Sequence, residues 1–470
     1  SQISRLDDVY CKYLLSYDML SKDEKEKLER QVILERQRKP RVVAENDRNS
    51  CVAKGKSVVL TQFFRVARNM MNLCFKNDPT VTDVEEEYWK LVSEKSQHIA
   101  VQWARVDTSV AGSGFPTGKS HPYAKHNWNL NNLARNQGNL LSHLGSEPDV
   151  TIPWLKVGMV YSTEFWKYDP YALPFVEYQH TGADKIWYCV PHSHKEKFET
   201  VMKSVVPEMC INNSNRNYLA KSSVMVSPTN LAKEGVPITR VVIENGEYLV
   251  TFPGCYTSSI CCGYNVSECI YYALPSWVQF ATQANKVTKE LRLPPMFSFE
   301  RLICLASTIE VTKGNTEIIE CLLHELKLIR DLELQLREQL MLTGVKSMAK
   351  MAVTNVVMNQ DLRRKKILKI QVDPEDKRCD TCQQLCHLSQ VVNDKEEDTY
   401  CLQHALNYIK KGGSKACNGL KLMYRYEKEQ LNKLVEQLED CLNDKSKISP
   451  GRGRTSNKRK CTESVVELLS

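Results

Sequence analysis

Between residues 157 and 274 the chain breaks into short runs rich in β-branched and aromatic residues, each closed by turn residues. They are VGMVYSTEFW (157–166), DKIWYCVP (184–191), ITRVVIEN (238–245), GEYLVTF (246–252), SSICCGY (258–264) and SECIYYAL (267–274). Many short strands around one apolar core predict a barrel or a sandwich. A helix near 193–206 interrupts them. On either side the period changes. Apolar residues recur at helical spacing at 5–20, 60–75 and 82–96, and again at 276–292, 298–310 and 315–343. In the last of these, Ile319, Leu322, Leu323, Leu326, Ile329, Leu336 and Leu340 form a single stripe that reads as packing. The predicted class is α+β.

The rest of the chain is more polar. Ser21 is placed to cap a highly charged helix running to about Arg38, and 40–50 reads as a linker. Residues 345–375 read as a basic linker, and a charged helix (424–443) precedes a basic tail. Nothing approaches twenty consecutive apolar residues, so no membrane span is expected. The chain begins on Ser1 without a leader, which argues against secretion and predicts that further sequence precedes it. Its 18 cysteines are spread thinly over 470 residues, a pattern of core thiols and metal ligands in a reducing compartment. The net charge of +8 is concentrated in runs: Arg363, Arg364, Lys365 and Lys366, then Lys458, Arg459 and Lys460 in the tail. Such runs fit nuclear import or phosphate contacts, or a solvated tail.

Cys379-Asp-Thr-Cys382 and Cys401-Leu-Gln-His404 are two short pairs, separated by 18 residues. Each pair closes a knuckle that presents two ligands to one ion, and four S/N donors satisfy a structural zinc. Cys386, His387 and Cys417 lie nearby and leave a second, incomplete set open. GSGFPTGKS (112–120) ends like a phosphate-binding loop, but the loop's first glycine position holds Ser113, so nucleotide binding is not expected.

Two blocks, PWLKVGMVYSTEFWKYDPYALPFVEYQHTGADKIWYCVP (153–191) and FPGCYTSSICCGYNVSECIYYALPSW (252–277), resemble the JmjC domain of the Jumonji/ARID-type histone demethylases. GSGFP and HNWNLNNL (126–133) resemble the segment entering that domain. CDTCQQLCHLS, YCLQHAL and LKLMYRY resemble the zinc finger that follows it. VYCKYLLSYDML resembles the last helix of an ARID DNA-binding domain. CVAKGKSVVL and FFRVARNMMNLCF (51–75), together with HTGADKIWYCVP, most resemble a catalytically degenerate branch of the family, and that resemblance implies an accessory subunit of Polycomb repressive complex 2.

The resemblance implies a JmjC double-stranded β-helix, a cupin-like barrel with helical flanks and a C-terminal zinc finger. The implied order is the end of an ARID domain (1–20), a charged helix and linker (21–50), and a helical region (51–98). Next come a degenerate JmjC barrel (99–280), a helical domain (281–344), the basic linker (345–375), the finger (376–430), and a charged helix with a disordered tail (431–470). The iron-binding positions of an active member, His-x-Asp/Glu and a distant His, fall on Lys167, Asp169 and Thr257. Two of three ligands are gone, and an ammonium repels a dication; Lys167 could instead pair with Asp169. On the co-substrate side, Lys185 matches the lysine that grips 2-oxoglutarate. Its assisting Asn falls on Glu177, and an aromatic position near the pocket mouth falls on Glu164. The sole His-x-Glu, His194-Lys195-Glu196, belongs to a surface helix, and His180 reads as a hydrogen-bonding residue.

The resemblance therefore implies no enzyme. It implies a nuclear chromatin regulator that carries structural zinc, without Fe(II) or 2-oxoglutarate, and supports repression in development. Its partners would be Polycomb repressive complex 2, nucleosomal histone and, weakly in this fragment, DNA. The alternative is an Fe(II)/2-oxoglutarate-dependent histone lysine demethylase with atypical ligands.

Overall fold

A computed structural model describes residues 8–12, 52–54, 58–94, 99–118, 121–136, 138–206, 225–313, 316–351, 354–359, 367–372, 376–394 and 396–446. The expected helix at 21–38, the linker at 40–50, the basic runs at 363–366 and 458–460 and the rest of the tail lie outside these residues.

Two antiparallel sheets face each other and form the barrel. The larger has seven strands in the order β2-β1-β3-β4-β11-β6-β9, and the smaller has four in the order β5-β10-β7-β8. The strands are β1 (Asp8–Lys12), β2 (Val52–Lys54), β3 (Ala100–Asp107), β4 (Trp154–Gly158), β5 (Thr163–Tyr168), β6 (Phe175–Gly182), β7 (Lys185–Val190), β8 (Thr239–Ile243), β9 (Tyr248–Val250), β10 (Tyr256–Cys261) and β11 (Asn265–Tyr271). This is the cupin-like arrangement the sequence implied.

Alternation along each strand decides what faces the interior. In β11, Asn265, Ser267, Cys269 and Tyr271 turn inward, while Val266 and Ile270 join cores on the outside. In β7, Lys185 and Trp187 turn inward, while Ile186, Tyr188 and Val190 pack against the outer helices. The barrel interior is thus unusually polar, and most of its apolar core lies on the outer faces of the sheets.

Helices α1 (Leu60–Cys74) and α2 (Val81–Glu94) cover one outer face and bury Phe63, Ala67, Val84 and Tyr88 there. At about 1.5–3 kcal/mol for a fully buried large apolar side chain, this face is a major stabilising element. Helix α3 (Lys195–Val205) adds Phe198 and Met202. Behind the barrel, α4 (Val278–Glu290), α5 (Phe299–Lys313), α6 (Thr316–Leu342) and α8 (Lys428–Ser446) share a second core with Trp277, Leu322, Leu326, Leu434 and Leu438. The predicted stripe of α6 is indeed packing: Ile319, Leu322, Leu326 and Leu340 are buried. The charged C-terminal helix is one of this domain's core helices.

Two regions differ from the sequence reading. The described part of 1–20 is strand β1, paired with β2 and β3, where a helix was expected. Val9-Tyr10-Cys11 has β-favouring residues, and β3 offers an edge on which the backbone groups of so short a segment find partners. The stretch 345–375 contains three strands in place of a linker: β12 (Ser347–Lys350), and a hairpin of β13 (Thr354–Asn359) with β14 (Ile367–Val372).

Strand β12 runs parallel to β19 (Leu420–Tyr424). The sheet continues with β17 (Ser389–Asn393) and β18 (Thr399–Tyr400), so the finger begins upstream of its predicted boundary. A two-stranded ribbon, β15 (Lys377–Arg378) and β16 (Leu385–Cys386), and helix α7 (Leu402–Gly412) complete it. Arg337 of α6, held by Glu333 on its own helix, ties the helical domain to the finger through Ser389 and the carbonyls of Leu388 and Tyr426.

Candidate functional site: an ion-paired barrel and a Cys/His cluster

The barrel encloses a cavity of about 470 Å³ that takes its walls from both sheets. The three positions assigned to iron by resemblance all line it. Lys167 on β5 pairs directly across from Thr257 on β10, just before a bulge that separates Thr257 from Ser259 in the ladder. Asp169 follows the end of β5. Its Oδ1 accepts from the backbone N–H groups of Tyr171 and Leu173, at 2.9 and 3.0 Å, and its carboxylate also accepts from the Tyr271 hydroxyl. Burial raises the Asp169 pKa above its ordinary value, against these hydrogen bonds. Lys167 does not pair with Asp169, as the sequence had allowed, but with Glu164, three residues back on its own strand. The extra residue that β5 carries between Glu164 and Lys167 brings those two side chains to one face, and Asp169 is already held by the turn that follows.

The co-substrate positions form the centre of a larger network. Lys185 is almost fully buried, and its Nζ donates to Oε1 of Glu177 and Oε1 of Glu164, each at 2.8 Å. Glu177 has no exposure. Its carboxylate also accepts from Nζ of Lys156 at 2.7 Å and from Oγ of Ser267 at 2.9 Å. Lys156 reaches Glu164 as well, at 2.8 Å. Two carboxylates and three ammonium groups are therefore laced together, with the rings of Phe175 and Trp187 beside the ammoniums.

Burial alone would push both glutamates up. The ammonium groups of Lys156 and Lys185, joined at Glu164 by Lys167, outweigh it and hold Glu164 well below, and Glu177 below, the usual carboxylate range. The same attraction outweighs burial for Lys156 and Lys185 and raises both. All four groups stay charged at neutral pH. The ammonium that a dicarboxylate would need is engaged by the chain's own carboxylates.

Sequence reading missed Lys156. A lysine inside the strand WLKVG reads as a solvent-facing residue, but alternation places it on the interior face with Trp154. Arg105, stacked 4.1 Å over Trp154 and paired with Asp149 at 2.9 Å, lines the same cavity.

The glycine-rich segment plays a structural part. Ser113 Oγ and the Gly114 amide donate to the two oxygens of fully buried Glu268, at 2.7 and 2.9 Å. His180 Nε2 stands 2.9 Å from the same carboxylate, as its hydrogen-bonding assignment required. This clasp pins the entry segment to the outer face of β6 and β11 and presents no phosphate cradle; residues 119 and 120 lie outside the described residues. His194 and Glu196 are exposed, in the helical segment between β7 and β8.

The finger gathers Cys379, Cys382, Cys401 and His404, whose ligand atoms lie within 4.8 Å of one another. Cys401 Sγ stands 3.1 Å, and Cys379 Sγ 3.7 Å, from Nδ1 of His404. Helix α7 starts after Cys401, which brings His404 round one turn to the same side. Three thiols and an imidazole at these separations fit a tetrahedral zinc with bonds of about 2.0–2.3 Å, and four protein ligands make such a site structural.

The extra residues do not gather into a second set among the described residues. His387 Nδ1 pairs with Asp376 at 3.0 Å, Asp376 holds Arg425 at 2.8 Å, and the Cys417 thiol donates to the Thr343 carbonyl at 3.0 Å. Among the described residues no helix is long and apolar enough to cross a membrane.

Comparison with known proteins agrees with this architecture. The JmjC domain, hydroxylase family model matches residues 154–271, and the C5HC2 zinc finger model matches residues 379–434. The chain is 37% identical to protein Jumonji of Gallus gallus, over 96% of this chain and 43% of that protein. It is 30% identical to a probable inactive lysine-specific demethylase of Arabidopsis thaliana, over 77% of this chain and 51% of that protein. Lysine-specific demethylase 5D of Homo sapiens is 29% identical, over 76% of this chain and 22% of that protein. The chain thus spans no more than about half the length of these relatives. A barrel with the JmjC match, a finger with the C5HC2 match, and a likeness to protein Jumonji over 96% of this chain establish the chain as a Jumonji-family JmjC protein.

Proposed function

We propose that this chain is a non-enzymatic chromatin regulator: a nuclear, JmjC-fold accessory subunit of Polycomb repressive complex 2. It binds nucleosomal histone and DNA to support transcriptional repression in development. The observation that carries the reading is the interior network, in which Glu177 and Glu164 occupy both faces of Lys185. A 2-oxoglutarate carboxylate entering here would have to displace two buried, charge-paired glutamates, and the negative charge of Glu177 would oppose it. Lys167 and Thr257 stand at two of the three iron positions, and neither an ammonium nor a hydroxyl replaces imidazole as an Fe(II) ligand. Fold alone confers no activity once these groups are gone.

On this reading zinc at Cys379, Cys382, Cys401 and His404 holds the finger together, and Fe(II) has no place in the barrel. Relatives named as demethylases keep the alternative in view, an Fe(II)- and 2-oxoglutarate-dependent histone lysine demethylase with atypical ligands. Two measurements separate the readings. Metal analysis of the purified protein is expected to give about one zinc per chain and no stoichiometric iron. Affinity capture from nuclear extract with the full chain is expected to recover Polycomb subunits. Stoichiometric iron in the barrel, or capture without any Polycomb subunit, would overturn the corresponding part of the proposal.

A further inference from the structure

Helix α1 has a face that neither the barrel nor the finger uses. Phe63 and Ala67 point into the core, and the opposite side is open to solvent. There Thr61, Arg65, Arg68 and Asn72 follow at intervals of four, three and four residues, one stripe along the helix with Asn69 beside it. Tyr264, from the turn between β10 and β11, closes one flank and makes a shallow groove of about 730 Å³. Neither guanidinium has a hydrogen bond or ion pair among the described residues.

The sequence adds an independent observation. The stretch from Arg48 to Asn77 contains Arg48, Lys54, Lys56, Arg65, Arg68 and Lys76 and no acidic residue, although the whole chain has 56 acids in 470 residues. An ordinary solvated face mixes signs. This one offers cationic and neutral donors only.

Guanidinium, amide and hydroxyl groups are the set that contacts phosphate oxygens, and guanidinium pairs with phosphate in a bidentate fashion. At 1.5 Å per residue the stripe is roughly 16 Å long, enough to follow two or three phosphates of one strand. Single strands are usually held by bases stacked on free aromatic faces. Here the exposed ring of Phe64 is already engaged edge-on with Tyr264, with centroids 4.9 Å apart and an interplanar angle of 87°. The open groove therefore favours a duplex.

We infer that this face of α1 docks on the phosphate backbone of duplex DNA, independently of sequence. The inference deepens the chromatin reading and rests on it for the choice of nucleic acid; it assigns the contact to the folded body of the chain as well as to the basic tail.

Fluorescence anisotropy with the full chain and a mixed-sequence duplex tests it. Two lost phosphate contacts lower the slope of log K against log salt by about 1.8, so between 50 and 200 mM salt the wild type should lose about twelvefold more affinity than R65Q/R68Q. Because both arginines are exposed, the thermal midpoint should not move. The tail variant K458Q/R459Q/K460Q should lower the slope separately, and combining it with R65Q/R68Q should lower it further. Equal slopes for wild type and R65Q/R68Q would overturn the inference and leave DNA binding standing. A wild type that binds no duplex would overturn both. Displacement of the duplex by an acidic peptide at equal charge concentration would assign the face to a protein partner and overturn its assignment to DNA.

Discussion

Replacing Glu177 by glutamine removes one of the two carboxylates on which Lys156 and Lys185 depend. The side chain keeps its shape and can still meet Ser267, but the two ammoniums are left to share Glu164, which Lys167 also holds. Glu177 has no exposure and Lys185 almost none, so water cannot replace the lost charge. Breaking a buried pair by removing one partner costs about 3–5 kcal/mol. In a domain of 150–250 residues that corresponds to a fall in Tm of roughly 6–20 °C. Removing the partner as well should recover most of the loss, because an uncompensated buried charge is the larger part of the penalty. E177Q/K185M is therefore predicted to be more stable than E177Q alone. Chemical denaturation followed by tryptophan fluorescence would measure this, since Trp154 and Trp187 lie beside the network. A loss below about 1 kcal/mol for E177Q, or a double variant in which the two losses simply add, would refute the claim that these groups form one interdependent unit.

The remaining predictions address the network's charge, the finger and the entry clasp. Glu164 and Glu177 have lowered pKa values in the fold, so their pairing contributes fully above the ordinary glutamate range near 4.3 and is lost as pH falls through the depressed values; acid titration of stability should show that loss only below about pH 4. Chelation should unfold the segment from Cys379 to Tyr424 while the barrel's near-ultraviolet signal survives, and C379S or H404A should bind less than one zinc per chain; full zinc retention by both variants would contradict the ligand set. Rebuilding iron ligands with K167H/T257H should still give no 2-oxoglutarate binding by calorimetry, and adding E177N should be needed before any appears. G114A should cost about 1–3 kcal/mol, because its Cβ would sit 2.5 Å from Nε2 of His180 in a clasp that cannot move away; an unchanged melting curve would contradict that.

The barrel was legible because its period is 2 and its strands are short. Which residues of SECIYYAL and DKIWYCVP face inward was not legible, because the apolar Ile186, Tyr188, Val190 and Ile270 pack on the outside, whereas the knuckles of the finger are local enough to read from spacing. Lys167, Thr257, Lys185 and Glu177 could be placed by resemblance, but their partners could not. The pairing of Lys167 with Glu164 depends on the bulge in β5 between them, which is a matter of register between strands about ninety residues apart. Lys156 was invisible because a strand lysine normally faces solvent. In the sequence of 5–20, Leu6, Val9, Tyr10 and Tyr13 satisfy a helical period over too short a window to exclude a strand, and for 8–12 the edge of β3 decided the matter. In 345–375 basic composition concealed alternation, and MAK and NVVMN paired as strands despite it.

On the proposed function the barrel does not take up 2-oxoglutarate, because its own glutamates hold the lysine that would bind it. Incubating the purified chain with Fe(II), ascorbate and 2-oxoglutarate and measuring succinate is the decisive experiment. No succinate is expected above the protein-free control, at any histone peptide concentration. Protein-dependent succinate that disappears in K185M would contradict it.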